Sequence, residues 1–110
     1  MPPTNGTKVK LAGKQRTLRY TQPALEKLED ERNGEPLGVT IQQAGRLSAK
    51  AITALLWAGL QHEEPAPAID DVRHLIVPPY RPIVDAVVEA LTPWIEQPDE
   101  EPEGKAPAAG

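Results

Sequence analysis

The side chains able to do chemistry in this chain are few, and their spacing suits it poorly. His62 stands beside Glu63 and Glu64, with His74 well separated along the chain. A zinc-like site needs converging ligands, as when two histidines sit one helical turn apart. Here the histidines fall on separate segments, and His62 lies where its helix is expected to end. A cationic imidazole at that end interacts favourably with the helix dipole, which accounts for it without metal. Asp70, Asp71, Asp85 and Glu89 are the carboxylates from which an acid–base pair could be drawn. Asp85 and Glu89 are one turn apart on the polar side of an amphipathic helix. No apolar pocket of the kind that converts a carboxyl into a general acid is implied around them. There is no cysteine, no glycine-rich phosphate loop and no Ser-His-Asp arrangement. The pattern points away from an enzyme, and neither metal nor cofactor is expected.

Two further groups could make contacts instead of reactions. Val77-Pro78-Pro79-Tyr80 resembles a proline ligand for an aromatic groove, but a stiff connector between two helices is the ordinary use of such prolines. Trp57 and Trp94 are the tryptophans of a chain without phenylalanine. Trp57 lies about 100° around its helix from Leu56, on the flank of an apolar stripe. It either seals the edge of a core or meets a partner, since tryptophan is enriched at interaction hot spots.

The elements that position these residues are marked by their ends. In Thr7–Tyr20, Val9 and Leu11 alternate with Lys8 and Lys10, Leu18 and Tyr20 flank Arg19, and the glycine of "AGKQ" can take a turn. This predicts a β-hairpin with Lys8, Lys10 and Arg19 on its solvent face. Such a basic face either guards the edge of a small ribbon or binds something. The segment "TQPALEKLEDERNG" predicts a helix capped by Thr21, with Pro23 in its first turn and Asn33-Gly34 as its stop. Leu25 and Leu28 point inward. Between Leu37 and Arg46 either a short helix or an anchored loop fits.

Ser48 caps the best-patterned helix, and Leu47 before it is placed to staple onto Ile52. Ile52, Leu55, Leu56, Gly59 and Leu60 form one helical face. Gly59 on that face permits a close approach, at about 1 kcal/mol of helix propensity relative to Ala. Pro65 and Pro67 end the run. Ile69, Val72, Leu75 and Ile76 predict a short helix. Val84, Val87, Val88 and Leu91 predict a last one, which Pro93 should end or kink. The fold expected is α+β and mostly α: a hairpin packed on about four short helices over residues 7–96, preceded by a flexible arm at 1–6.

Charge is divided unevenly over the 110 residues, whose net charge is −4. Five basic residues and no acidic one fall in the first 25. Asp99, Glu100, Glu101 and Glu103 against Lys105 leave −3 in residues 97–110, which read as a disordered, acidic, Pro-rich tail. A duplex-binding domain is normally basic overall, so nucleic acid is not the expected partner. No segment approaches the ~18 apolar residues of a membrane span, and no apolar signal sequence opens the chain. The absence of cysteine fits a reducing compartment. A soluble cytoplasmic protein with no membrane partner is expected.

The order of parts then resembles a family. A basic hairpin leads into "RTLRYTQPALEKLED", a helix ends "LLWAGLQHEEP", and "DDVRHLI" precedes a final Val/Ala helix. This resembles the small tail assembly chaperones of long-tailed bacteriophages and the related tail proteins of gene transfer agents. The family's "LxxLE" is matched by Leu25, Leu28 and Glu29. Its "WAGL" helix is matched by Leu55 to Leu60, and its acidic segment by Asp70, Asp71 and Val72. The similarity spans about Lys8 to Leu91 and departs at Pro78-Pro79 and Pro93. It implies a non-enzymatic protein of the host cytoplasm, absent from the mature virion. Such a protein binds the tape measure protein, assists assembly of the tail tube protein, and can self-associate. Partner contacts are then expected at Trp57, Leu56 and Leu60 and at the basic residues Lys8, Lys10 and Arg19. A structural minor tail or head-tail connector protein is the alternative, and a small nucleic-acid-binding regulator using the hairpin is a third reading.

Overall fold

A computed structural model describes residues 6–95. Most of the expected N-terminal arm and the whole acidic tail lie outside the described residues. The order of elements is β1 (Thr7–Leu11), β2 (Lys14–Leu18), α1 (Gln22–Glu31), α2 (Leu37–Gly45), α3 (Ala49–Gly59), α4 (Ile69–Arg73) and α5 (Arg81–Ile95). The architecture is therefore α+β and mostly helical, as the pattern predicts. Among the described residues the helices number five, because Leu37–Gly45 resolves as α2.

β1 and β2 pair antiparallel, with Leu11 opposite Lys14 and Thr7 opposite Leu18. The two-residue turn has positive φ at both Ala12 and Gly13. This is the primed geometry whose twist matches the strands, reached here without the usual Asn or Asp. Val9, Leu11 and Leu18 are buried on one face of the ribbon, and Lys8 and Lys10 are exposed on the other. α5 packs against β1, and the end of α3 against β2.

The helix ends follow elementary capping chemistry. Thr21 accepts from the Ala24 amide at 3.2 Å and Ser48 from the Ala51 amide at 3.3 Å. After α1, Asn33 takes a left-handed φ of 60°, and the Gly34 amide donates back to the Glu29 carbonyl at 2.7 Å. α2 ends in the same double-bonded motif. Leu47 donates to Ala44 at 2.8 Å and Ser48 to Gln43 at 3.0 Å. The left-handed residue there is Leu47 itself, with φ 68° and 42% exposure. The expected staple of Leu47 onto Ile52 is therefore not made: the α2 stop turns Leu47 outward while Ile52 is buried.

α3 is the centre of the molecule. It touches α1, α2, α4, α5 and β2. Besides the expected stripe, Ala51, Thr53, Ala54 and Ala58 are buried, so the small residues behind the stripe admit neighbours on that side too. Apart from its start at Ala49 and Lys50, which are exposed, the helix is enclosed as a core helix is. At Gly59 an added Cβ would stand 2.8 Å from the Tyr20 ring and 2.9 Å from Leu18. That explains the glycine: the side chains of Tyr20 and Leu18 occupy the space. Burial pushes the Tyr20 phenol far above its ordinary range, and its hydroxyl donates to the Leu55 carbonyl at 2.6 Å.

α5 runs past the expected break. Pro93 lies inside the helix, and Thr92 donates its hydroxyl to the Val88 carbonyl at 2.8 Å. Pro93 and Glu89 are both exposed. Water can therefore take the Glu89 carbonyl that the proline leaves without a donor.

Candidate interaction surface

The residues expected to meet a partner are placed very differently by the fold. Leu56 and Leu60 are fully enclosed, at 0% exposure. They are core residues, and their expected role as contact residues is corrected accordingly: α3 is surrounded, so its leucines have no outer side. Trp57 is half-buried and packs against the core edge. It is the one residue of "LLWAGL" that retains access to solvent.

Toward the start of α3, a turn or more before Trp57, the packing opens. Lys50, Thr53, Ala54 and Trp57 follow the i, i+3, i+4, i+7 spacing of one helix face. The first three line an open cleft of about 770 Å³, whose walls include Arg32 and Glu35 on one side and Ile69 and Arg73 on the other. The α1–α2 wall is stiffened by a polar network. Arg32 donates twice to Glu35, at 3.1 and 2.8 Å, and also to Gln43. Gln43 donates to the second Glu35 oxygen at 3.2 Å, and Thr40, fully buried, donates to the first at 3.3 Å. A carboxylate with several donors anchors the turn between two helices. Sequence reading missed this cleft because its walls come from three separate segments. The only local hint was that Thr53 interrupts the apolar run at a position one turn before Trp57.

The hairpin residues do not join that surface. Lys8 and Lys10 are exposed on β1, which does not touch α3 among the described elements. Lys8 donates to Thr17 at 2.9 Å. Arg19 is half-buried at the exit of β2, and its amide donates to the Gly59 carbonyl at 2.9 Å. Arg19 therefore lies by the end of α3; by register its side chain falls on the ribbon face of Lys8 and Lys10, but it is half-buried where they are exposed. Arg16 stands 3.7 Å from Glu63, too far for a hydrogen bond, and its Nη1 and the Nε of Arg19 are buried without a partner among the described residues.

The remaining candidates have structural partners. His62 turns its Nε2–H to the Thr17 carbonyl at 2.8 Å, crossing from the end of α3 to β2. His74 donates through Nδ1 to the Asp70 carbonyl at 2.8 Å. Asp70 pairs with Arg73, and Asp71 accepts from the Ala68 amide at 3.3 Å, capping α4. Asp85 and Glu89 are exposed. Among the described residues no group of three His, Cys, Asp or Glu is arranged to hold a metal, and no helix is long and apolar enough to cross a membrane. Comparisons with protein-family models, with curated proteins and with solved structures found no match.

Proposed function

We propose that this chain is a tail assembly chaperone of a long-tailed bacteriophage. In this reading it is a non-enzymatic protein that binds the tape measure protein in the host cytoplasm, assists tail tube assembly, and leaves before the virion is complete. The observation that carries the reading is the placement of Trp57. Within the family-like "LLWAGL" run it alone stays accessible, and it continues the α3 face that floors the open cleft. A tape measure protein is a long helix, and an amphipathic helix laid into a groove offers apolar anchors at successive turns. Trp57 would take one anchor, with the charged cleft walls setting its polar flanks.

Co-expression with the tape measure protein of the same phage tests this. A soluble complex on size exclusion is expected, and the Trp57→Ala protein should fold but fail to form it. A complex that survives Trp57→Ala intact would remove Trp57 from the contact. A tape measure protein that stays insoluble with the wild-type chain present would remove the chaperone. Mass spectrometry of purified particles separates this reading from that of a minor tail or connector protein, which would be retained there.

A further inference from the structure

Main-chain hydrogen bonding divides the two edges of the hairpin. Leu11 and Lys14 face each other across the two-residue turn, so they exchange main-chain bonds, as do Val9 with Arg16 and Thr7 with Leu18. The intervening residues, Lys8 and Lys10 on β1 and Gln15 and Thr17 on β2, turn their N–H and C=O groups outward. The edge of β2 is met by the end of α3 and the residues after it. The Thr17 carbonyl takes the His62 imidazole at 2.8 Å, and just beyond the strand the Arg19 amide donates to the Gly59 carbonyl at 2.9 Å. On β1 the outward groups of Lys8 and Lys10 have no partner among the described residues.

An unpaired edge of this kind accepts an added strand, and the side chains along it select which strand. Lys8 and Lys10 are exposed, and among the described residues neither forms an ion pair. Lys8 donates to the Thr17 hydroxyl at 2.9 Å, which leaves its ammonium two further donors. The ribbon itself, residues 7–18, contains no acidic residue to offset them. A second β1 laid antiparallel about Val9 would set lysine directly against lysine at both bonding pairs, which is destabilising. A strand with acids at those two positions turns the same repulsion into attraction.

The register fixes more than the sign of the charge. In antiparallel pairing, residues that exchange main-chain bonds lie directly opposite and share a face. The two partner residues that bond Lys8 and Lys10 through the main chain are therefore the two whose side chains meet the lysines. The residue between them lies opposite Val9, on the face where Val9 is buried. A β-branched apolar side chain suits that position, and its N–H points away from β1.

We propose that the outer edge of β1 is a docking site for an extended acidic segment of a partner protein. The segment adds antiparallel with the pattern acid–apolar–acid, so that its two acids meet Lys8 and Lys10 through both main chain and side chain. This does not rest on the proposed function, which places its contact at Trp57. Titration of the full-length ¹⁵N-labelled protein with the end-blocked peptide Thr-Thr-Glu-Val-Glu-Thr-Thr tests it. Saturable shifts and slowed exchange are expected at the Lys8 and Lys10 amides, with Gln15, outward-facing on the other strand, as the unmoved reference. N-methylation of both glutamates should weaken binding at least about tenfold, since it removes the donors that the Lys8 and Lys10 carbonyls accept. N-methylation of the valine should change it less than about twofold, because that N–H makes no bond to β1. Lys8→Glu with Lys10→Glu should abolish binding of this peptide and admit the one with lysines in place of its glutamates.

No shift at Lys8 and Lys10 at millimolar peptide would overturn the proposal. So would equal losses from methylation at either kind of position, or equal affinity for an oligothymidylate of the same charge, since either result makes the lysines a plain anion-attracting face. Lys8 and Lys10 amides already slow to exchange without peptide would also overturn it. They would give the edge to another segment of the chain or, if the protection fades on dilution, to a second copy.

Discussion

α3 and β1 use their neighbours in opposite ways. α3 is enclosed by five elements, and its strongest apolar residues are also its least accessible. β1 is supported on one face by α5, yet its outer main chain has no partner among the described residues. The comparison teaches where an interaction surface is to be sought in a small domain. The most regular apolar pattern belongs to the core, because burial on all sides is what rewards regularity. Packing or hydrogen bonding stops short elsewhere, at the cleft over Lys50, Thr53 and Ala54 and, among the described residues, along β1.

The hardest way to break this contrast is to cut into α3. Leu56→Ala should cost about 2–5 kcal/mol, as large-to-small changes at enclosed leucines do. The cost would be read as a lower denaturation midpoint with unchanged slope. A loss below about 0.5 kcal/mol would mean that Leu56 faces outward after all. Next comes Gly59→Ala. The new methyl would meet the Tyr20 ring and Leu18 at under 3 Å, and overpacking of that kind costs about 1–3 kcal/mol. If the alanine variant is instead stabilised by its better helix propensity, the seam between the hairpin and α3 is looser than described.

Tyr20→Phe tests the same seam more gently. It removes the bond to the Leu55 carbonyl, worth about 0.5–1.5 kcal/mol at neutral pH. The pH dependence has a definite sign. Burial raises the folded-state phenol far above its ordinary value, so the unfolded chain loses its proton first. The stability tied to Tyr20 is therefore full below about pH 10 and falls as pH rises further, by about 1.4 kcal/mol per unit. The advantage of the wild type over Tyr20→Phe should accordingly shrink between pH 9.5 and 11 in denaturant titrations. A constant difference across that range would mean that the phenol is hydrated.

Much of this was legible in the sequence, and the misses have physical causes. Caps at Thr21 and Ser48, the Asn33-Gly34 stop and the alternation of Val9 and Leu11 are local, so they can be read locally. The role of Gly59 was legible as a close approach, although the residues that come close, Tyr20 and Leu18, could not be inferred from α3 alone. Leu56 and Leu60 were assigned to a surface because an apolar stripe has only one visible side in a sequence. The alanines at 51, 54 and 58, which bury the other side, look neutral until neighbours are placed on them. The Arg32–Glu35–Gln43–Thr40 network and the cleft are assembled from distant segments, and no local pattern announces them.

Leu47 sharpens the comparison from the other direction, because a change there should help. It occupies the left-handed stop of α2 that Asn33 fills after α1, and a side chain in that conformation costs about 1–2 kcal/mol. Leu47→Gly should recover about 1 kcal/mol, less what the more flexible unfolded chain takes back. Thermal or chemical denaturation would read it as a higher midpoint. A decrease would mean that the exposed leucine makes contacts worth more than its strain.

The smallest effect is expected on β1. Lys10 is exposed, and within the described residues it makes neither a side-chain hydrogen bond nor an ion pair. Lys10→Ala should therefore leave stability within about 0.5 kcal/mol of wild type, the range of surface changes away from special features. Salt should hardly alter that difference, since exposed ion pairs contribute about 0–1 kcal/mol and are screened. A loss above 1 kcal/mol that persists in high salt would show that the lysine stem covers apolar surface at the ribbon's rim. In that case β1 would be part of the packed body, and the division between a closed centre and an open edge would have to be drawn elsewhere.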